Sequence, residues 1–415
     1  MDISYIDFAK QFIGDYWPYV TGVVVPAVAT AVLTYVRRPK STARDTGPYF
    51  SEAELLTPPL VRPAYSDRMA YVLAEMSDLA YYRFEGQGGF IEDAVQVALE
   101  QNLTEHQDIR EFLDKFSTDL MSGRRLSLGA FQNILENSAF SLVGVIDVRE
   151  TQGFVCKRTS ADEPPYLVLA FRGTEKKISD WLTDLRCVPT VEGKTKVHTG
   201  FLDAFTKNVD AEGRTVEEVV RNILGGSDAK DEHGNPLPLF ITGHSLGGAL
   251  ALLATKLVAS DVTGACYTFG APRIGNYELF RFIKTPVYRV VNSSDIVPRV
   301  PPGAVMLLLT HAAKGASWLT GFVPPVSSLF GKLEELLDKL NGYRHYGDMR
   351  YLTDVAEGRF DTVRLLPNPP TIDRIMWMWR HIGISVLVPV KSHGMSIYRK
   401  KLASIAIDRN RVRGG

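Results

Sequence analysis

Cysteine is scarce in this chain: Cys156, Cys187 and Cys266 are the only three in 415 residues. An odd, widely scattered set cannot make the disulfide framework of a small secreted domain, and a reducing compartment suits it better. Charge of one sign is missing as well, because 47 Lys and Arg face 47 Asp and Glu and the formal net charge is zero. That excludes the global basic field by which a protein gathers nucleic acid. No internal repeat and no low-complexity tract is present, so an array of repeated units is excluded too. What is there is an ordinary globular composition, 45% hydrophobic, 23% charged and 10% aromatic, with chain enough to bury a sizeable core.

Long charge-free runs are equally rare, and the first stands out. Residues 16–36 carry no charged side chain and include VTGVVVPAVATAVLTYV, which is long enough to cross a hydrocarbon core of about 30 Å. Tyr16, Trp17 and Tyr19 at one end and Tyr35 at the other place amphipathic rings where they favour the interface. The leader carries Asp2, Asp7 and Asp15 against Lys10, which is not the basic leader of a cleaved signal peptide. A single retained span is therefore expected, as an anchor over residues 1–38; Pro26 keeps a buried or interfacial helix as the alternative. Arg37, Arg38, Lys40 and Arg44 follow, so the positive-inside bias puts everything after the span in the cytoplasm.

Residues 39–64 are rich in Pro and charge and read as a linker. From Ser66 and Asp67 a helical pattern begins, with Met69, Val72, Leu73, Met76, Leu79 and Ala80 on one face. Further helical stretches follow to about Asn137, giving an N-terminal helical part over 65–139. From Phe140 the period changes: SLVGVIDV and GFVCKRTS read as a hairpin, PPYLVLAFRG holds an apolar strand, and strands then alternate with helices. That alternation predicts an α/β core over 140–415 with a mostly parallel central sheet covered on both faces.

The most informative string is Gly243-His244-Ser245-Leu246-Gly247, preceded by an apolar strand pattern and followed by a helical run to Ser260. A nucleophile on a strained strand-to-helix turn needs small residues on either side, and Gly243, Gly247 and Gly248 supply them. A serine hydroxyl is a weak nucleophile until a base takes its proton and a carboxylate orients that base. Asp295 ends a short apolar strand pattern, where catalytic groups collect in open α/β sheets. Of the histidines beyond it, His311 and His381 lie in apolar or Trp-rich surroundings that suit packing, whereas His345 and His393 are candidates for the base. The backbone N–H of Leu246 is one oxyanion donor that such a turn supplies, and the loop at Phe171-Arg172-Gly173-Thr174 is placed to provide the second.

Together these residues resemble the class 3 lipases, a family of α/β-hydrolases. The likeness runs from about Tyr65 to Leu402 through LVLAFRGT, DWLTDL, VHTGF, ITGHSLGGALALL, YTFGAPRIGN and YRVVNSSDIVPRVPP, in that order. YRHYGDMRYL resembles the family's structural His-x-Gly-acid segment, and SHGMSIYRKKL, with His393, Tyr398 and Leu402, resembles the segment that bears its catalytic histidine. The resemblance implies a triad of Ser245, Asp295 and His393, oxyanion donors Thr174 and Leu246, and no metal or organic cofactor. It also implies hydrolysis of carboxylic esters of glycerolipids through an acyl-enzyme; with the span and the zero net charge read above, the expected enzyme is a membrane-anchored lipase or phospholipase whose partners are the lipid membrane and its glycerolipid and not nucleic acid. The stretch EKKISDWLTDL corresponds to the lid region of the fungal enzymes. The interval 303–341 is a lid-like insertion, in which Leu329, Phe330, Leu333, Leu336, Leu337 and Leu340 form a stripe suited to core packing or to lying on a membrane. A hydrolase fold without activity, serving as a membrane scaffold or partner-binding module, is the rival that fold alone leaves open.

Overall fold

The computed structural model describes residues 49, 51, 64–85, 125–161, 163–173, 189–293, 295, 297–299, 343–353, 359–370, 373–374 and 392–411. The expected span at 16–36, most of the linker, Thr174, Cys187 and the insertion 303–341 lie outside the described residues. Among the described residues, no helix is long and apolar enough to cross a membrane.

Ser66 opens the first helix, α1 (Asp67–Leu79), its hydroxyl accepting from the Met69 amide at 3.2 Å. The expected apolar face is buried, but so are Tyr71, Ala74, Glu75, Ser77 and Asp78. The helix lies between the sheet and the last helix of the chain, so both its sides are covered. Ser77 on this helix is satisfied in place, its hydroxyl meeting that of Thr242 at 2.8 Å.

After α1 come two strands of three residues, β1 (Arg83–Glu85) and β2 (Arg125–Ser127), which pair in parallel ahead of α2 (Leu128–Glu136). Within the N-terminal helical part expected over 65–139, the described residues thus include two short strands besides α1 and α2. A strand of three residues is too short to display an alternating pattern, so periodicity cannot signal it. The hairpin is as expected: β3 (Phe140–Val148) and β4 (Thr151–Arg158) are antiparallel, and the apolar run that follows is β5 (Leu167–Phe171). A second hairpin, β6 (Pro189–Glu192) and β7 (Thr195–His198), leads into α3 (Thr199–Thr206) and α4 (Val216–Gly225). Then come β8 (Leu239–His244), α5 (Leu246–Leu257), β9 (Gly264–Phe269), β10 (Val287–Asn292), β11 (Asp348–Leu352), β12 (Leu365–Pro367) and α6 (Met395–Arg411).

Among the described residues the main sheet has eight strands in the order β12-β11-β10-β9-β8-β5-β4-β3. Neighbours from β5 through β11 are parallel, and antiparallel pairs close both edges. This is the predicted α/β architecture with a mostly parallel central sheet. Both faces carry apolar layers, as a parallel sheet requires. Met76, Phe131, Tyr267, Tyr398 and Leu402 pack on the α1/α6 face. Phe205, Val220, Ile241, Leu250 and Leu253 pack on the face of α3, α4 and α5. The register pairs Phe171 with Gly243 and His244 with Phe269, so β5, β8 and β9 end side by side.

Candidate active site

Ser245 stands between β8 and α5 with φ 58° and ψ −124°, a backbone conformation that costs an L-residue energy. The turn is held from both directions. The Ser245 amide donates to the Phe269 carbonyl at 2.9 Å, and the Ser245 carbonyl accepts from the amides of Gly248 and Ala249. Glycine is required around it by space: a Cβ on Gly243 would run into the Gly247 backbone, and one on Gly247 into the backbone of Phe171 and Arg172. Ser245 is 5% exposed. Leu246 is the first residue of α5, so its N–H, next to Ser245, has no acceptor within the helix. Thr174, the other expected donor, is outside the described residues, although β5 delivers the chain to it through Gly173, which packs against the Tyr81 hydroxyl and the His244 carbonyl.

The structure brings the two other predicted residues together. His393 Nδ1 lies 2.9 and 2.8 Å from Oδ1 and Oδ2 of Asp295. Asp295 is fully buried and His393 is 5% exposed, so their attraction acts where water screens little. A carboxylate only accepts, so Nδ1 donates to it and Nε2 is the ring nitrogen left to exchange a proton. Nε2 is buried and makes no hydrogen bond. Asp295 is held as well: Oδ1 accepts from the Val297 amide at 2.9 Å, Oδ2 accepts from the Tyr398 hydroxyl at 2.6 Å, and Arg299 binds the carbonyls of Ser293 and Asp295. One peptide unit connects this pair to the serine. The Phe269 carbonyl holds the Ser245 amide, and the next residue, Gly270, lies so close that a Cβ there would come within 2.6 Å of Asp295 Oδ2 and 3.1 Å of His393 Cε1.

The segment before His393 is tied to the strand before Asp295. Asn292, last residue of β10, donates through Nδ2 to the Ser392 carbonyl at 2.7 Å and accepts at Oδ1 from buried Lys401 at 2.7 Å. His345, the other candidate base, is elsewhere. Its Nε2 donates to the Pro298 carbonyl at 2.5 Å, tying the chain before β11 to the turn after Asp295. Burial, with Arg289 and Arg273 nearby, holds its pKa well below the ordinary histidine value, so it stays neutral.

Several partners of this site carried no motif-level signal. Arg399 of α6 pairs with Glu75 at 2.6 Å and Asp78 at 2.7 Å, locking α1 to α6 from within the protein. The available clue is two acids three residues apart in a helix otherwise reading as core, which need a buried cation. Cys156 and Cys266 are free and buried, and burial pushes the Cys266 thiol up to about 12 and that of Cys156 higher still, so neither is a nucleophile.

Residues 168–305 match the family model of class 3 lipases. Over those residues the chain is similar to the class 3 lipases. Ser245, Leu246 and Asp295 fall inside the matched segment, together with Thr174, whereas His393 comes after it. A lipase of Rhizomucor miehei is 34% identical over 176 residues, 39% of this chain and 44% of the relative. The chloroplastic phospholipase A1-Igamma2 of Arabidopsis thaliana is 29% identical, covering 44% of this chain and 43% of its own. The triacylglycerol lipase OBL1 of the same plant is 37% identical over 35% of this chain and 36% of its own. The chain thus spans less than half the length of these relatives.

Proposed function

We propose that this chain is a serine hydrolase that cleaves carboxylic ester bonds of glycerolipids through an acyl-enzyme. The observation that carries the reading is the buried His393–Asp295 pair at 2.8 Å, joined through the Phe269–Gly270 unit to a serine on a strained strand-to-helix turn. In the proposed reaction, Ser245 Oγ attacks the ester carbonyl as its proton passes to His393 Nε2, and Asp295 steadies the imidazolium. The Leu246 N–H and Thr174 receive the charge on the carbonyl oxygen. Collapse expels the alcohol with the proton from His393, and water, activated by the same base, releases the fatty acid and restores Ser245. The substrate class rests on the relatives, a lipase, a phospholipase A1 and a triacylglycerol lipase, whose names share only the acyl ester of a glycerolipid.

A fluorophosphonate probe and a lipidomic comparison test this. Wild type should label and should deplete glycerolipid esters in membranes, with free fatty acid appearing. Ser245→Ala, which removes one hydroxyl and opens no core cavity, should do neither while melting normally. Substantial ester turnover by the folded variant would sink the assignment, and a wild type that neither labels nor hydrolyses would favour a binding module.

The same reading places the enzyme on its substrate: residues 16–36 cross the bilayer once, with the catalytic part on the cytoplasmic side. It is supported by the charge-free run and the trailing arginines. Full-length protein should stay with membranes after alkaline carbonate washing, and its release into the supernatant would rule out the span.

A further inference from the structure

His244, the residue before the nucleophile, is buried, and both its ring nitrogens are engaged. Nε2 lies 2.7 Å from the backbone carbonyl of His393, and Nδ1 lies 2.8 Å from the Tyr81 hydroxyl. A carbonyl accepts only, so Nε2 donates to it, and Nδ1 pairs with the Tyr81 hydroxyl. The His244 ring also lies over that of His393, with centroids 4.5 Å apart and planes at 33°. The Tyr81 hydroxyl at the other end of this chain of contacts sits against Gly173, one residue before Thr174, so closely that a Cβ on Gly173 would strike it. Tyr81 itself follows α1, whose last turn is fixed through Asp78 to Arg399 of α6 at 2.7 Å.

We propose that His244 and Tyr81 are positioning residues: a Tyr81–His244 relay holds the backbone and ring of His393 in line with Ser245 and keeps the strand-end loop before Thr174 in step with them. Asp295 fixes His393 at Nδ1 alone, and a ring gripped at one atom can still swing its far nitrogen. The bond to the His393 carbonyl and the ring overlap supply a second hold, and that hold comes from the residue covalently joined to the nucleophile. Base and nucleophile are thereby registered to each other without passing through Asp295. A displacement on the order of 1 Å at a reacting group costs up to about 100-fold in rate, which is the effect such a second hold prevents.

The inference rests on the acyl-transfer reading above. The test compares three single variants and one double variant for kcat, KM and the rate of fluorophosphonate labelling, each checked by thermal melting. His244→Phe keeps an aromatic ring and loses both hydrogen bonds. His244→Gln keeps an N–H donor at comparable reach. Tyr81→Phe removes one oxygen and serves if His244→Phe folds poorly. Expected are a fall in kcat of about 10- to 100-fold for His244→Phe with KM nearly unchanged, recovery of most of that loss in His244→Gln, and a smaller fall for Tyr81→Phe. Labelling rates should follow kcat, and the double variant Tyr81→Phe/His244→Phe should be no worse than His244→Phe, since both cut the same relay. Wild-type kcat in folded His244→Phe and Tyr81→Phe would overturn the relay, as would equal losses in His244→Phe and His244→Gln, or losses that add in the double variant. An inert, unlabelled wild type would remove the acyl-transfer reading and this inference with it, whereas an active wild type with undiminished variants removes only the relay.

Discussion

The Tyr398 hydroxyl donates to Oδ2 of Asp295 at 2.6 Å and accepts the amide of Asn292 at 2.9 Å. Burial and the neighbouring carboxylate hold its pKa well above 10, so it remains a neutral donor through the working pH range. One phenol therefore connects α6, the end of β10 and the carboxylate that orients His393.

Tyr398→Phe should accordingly cost both stability and rate. The change keeps the ring and leaves a buried carboxylate oxygen and a buried amide each short of a partner, at a cost of about 1.5–3 kcal/mol. Asp295 freed on one side orients His393 less strictly, so kcat should fall by roughly tenfold with KM little changed. Denaturant titration and steady-state kinetics on the same preparation check this, and a variant equal to wild type in both would show that Val297 and His393 suffice to hold the aspartate.

The two candidate histidines make opposite expectations measurable. His393→Ala removes the ring paired with Asp295 and should lower turnover by about 10³-fold or more. His345→Ala removes the donor to the Pro298 carbonyl and should lower the melting temperature while leaving kcat of the folded fraction nearly intact. Kinetics corrected for folded fraction decide between them, and the reverse ranking would move the base to His345.

How much of this was legible beforehand depended on whether a feature is local in sequence. The strand, the glycines and the helix around Ser245 are contiguous, so the turn could be read directly, down to the glycines that give it room. Asp295 could be proposed because it ends an apolar strand pattern, and the resemblance then chose His393 over His345 among the histidines beyond it. The segment that carries this resemblance also holds Tyr398 and Leu402, and both are buried in α6. What could not be read were bonds between distant segments whose members look ordinary alone. Arg399 with Glu75 and Asp78 spans more than three hundred residues of chain, as does the bond from Lys401 to Asn292 more than a hundred. The strands β1 and β2 were missed because pairing, not pattern, defines a strand of three residues.

His198 sets an acid limit on the fold. It stands before the first residue of α3 without capping it through its side chain, its ring stacks on Phe201 with centroids 4.2 Å apart, and both ring nitrogens are buried without a hydrogen bond. Burial pushes its pKa down from 6.5 to about 4. Between those two values the unfolded chain binds a proton that the folded chain refuses. Stability is therefore full above about pH 6.5 and declines as the pH falls toward 4, by up to about 3 kcal/mol from this residue. His345, also held neutral by burial, pushes in the same direction, so the wild-type curve is the sum of both. Replacing His198 by Phe keeps an aromatic ring beside Phe201 and removes the titrating group. Denaturant midpoints at pH 7, 6, 5 and 4.5 should then converge for His198→Phe relative to wild type, the variant gaining most at the lowest pH. Parallel curves for the two proteins would show that His198 is not the group that limits the fold in acid.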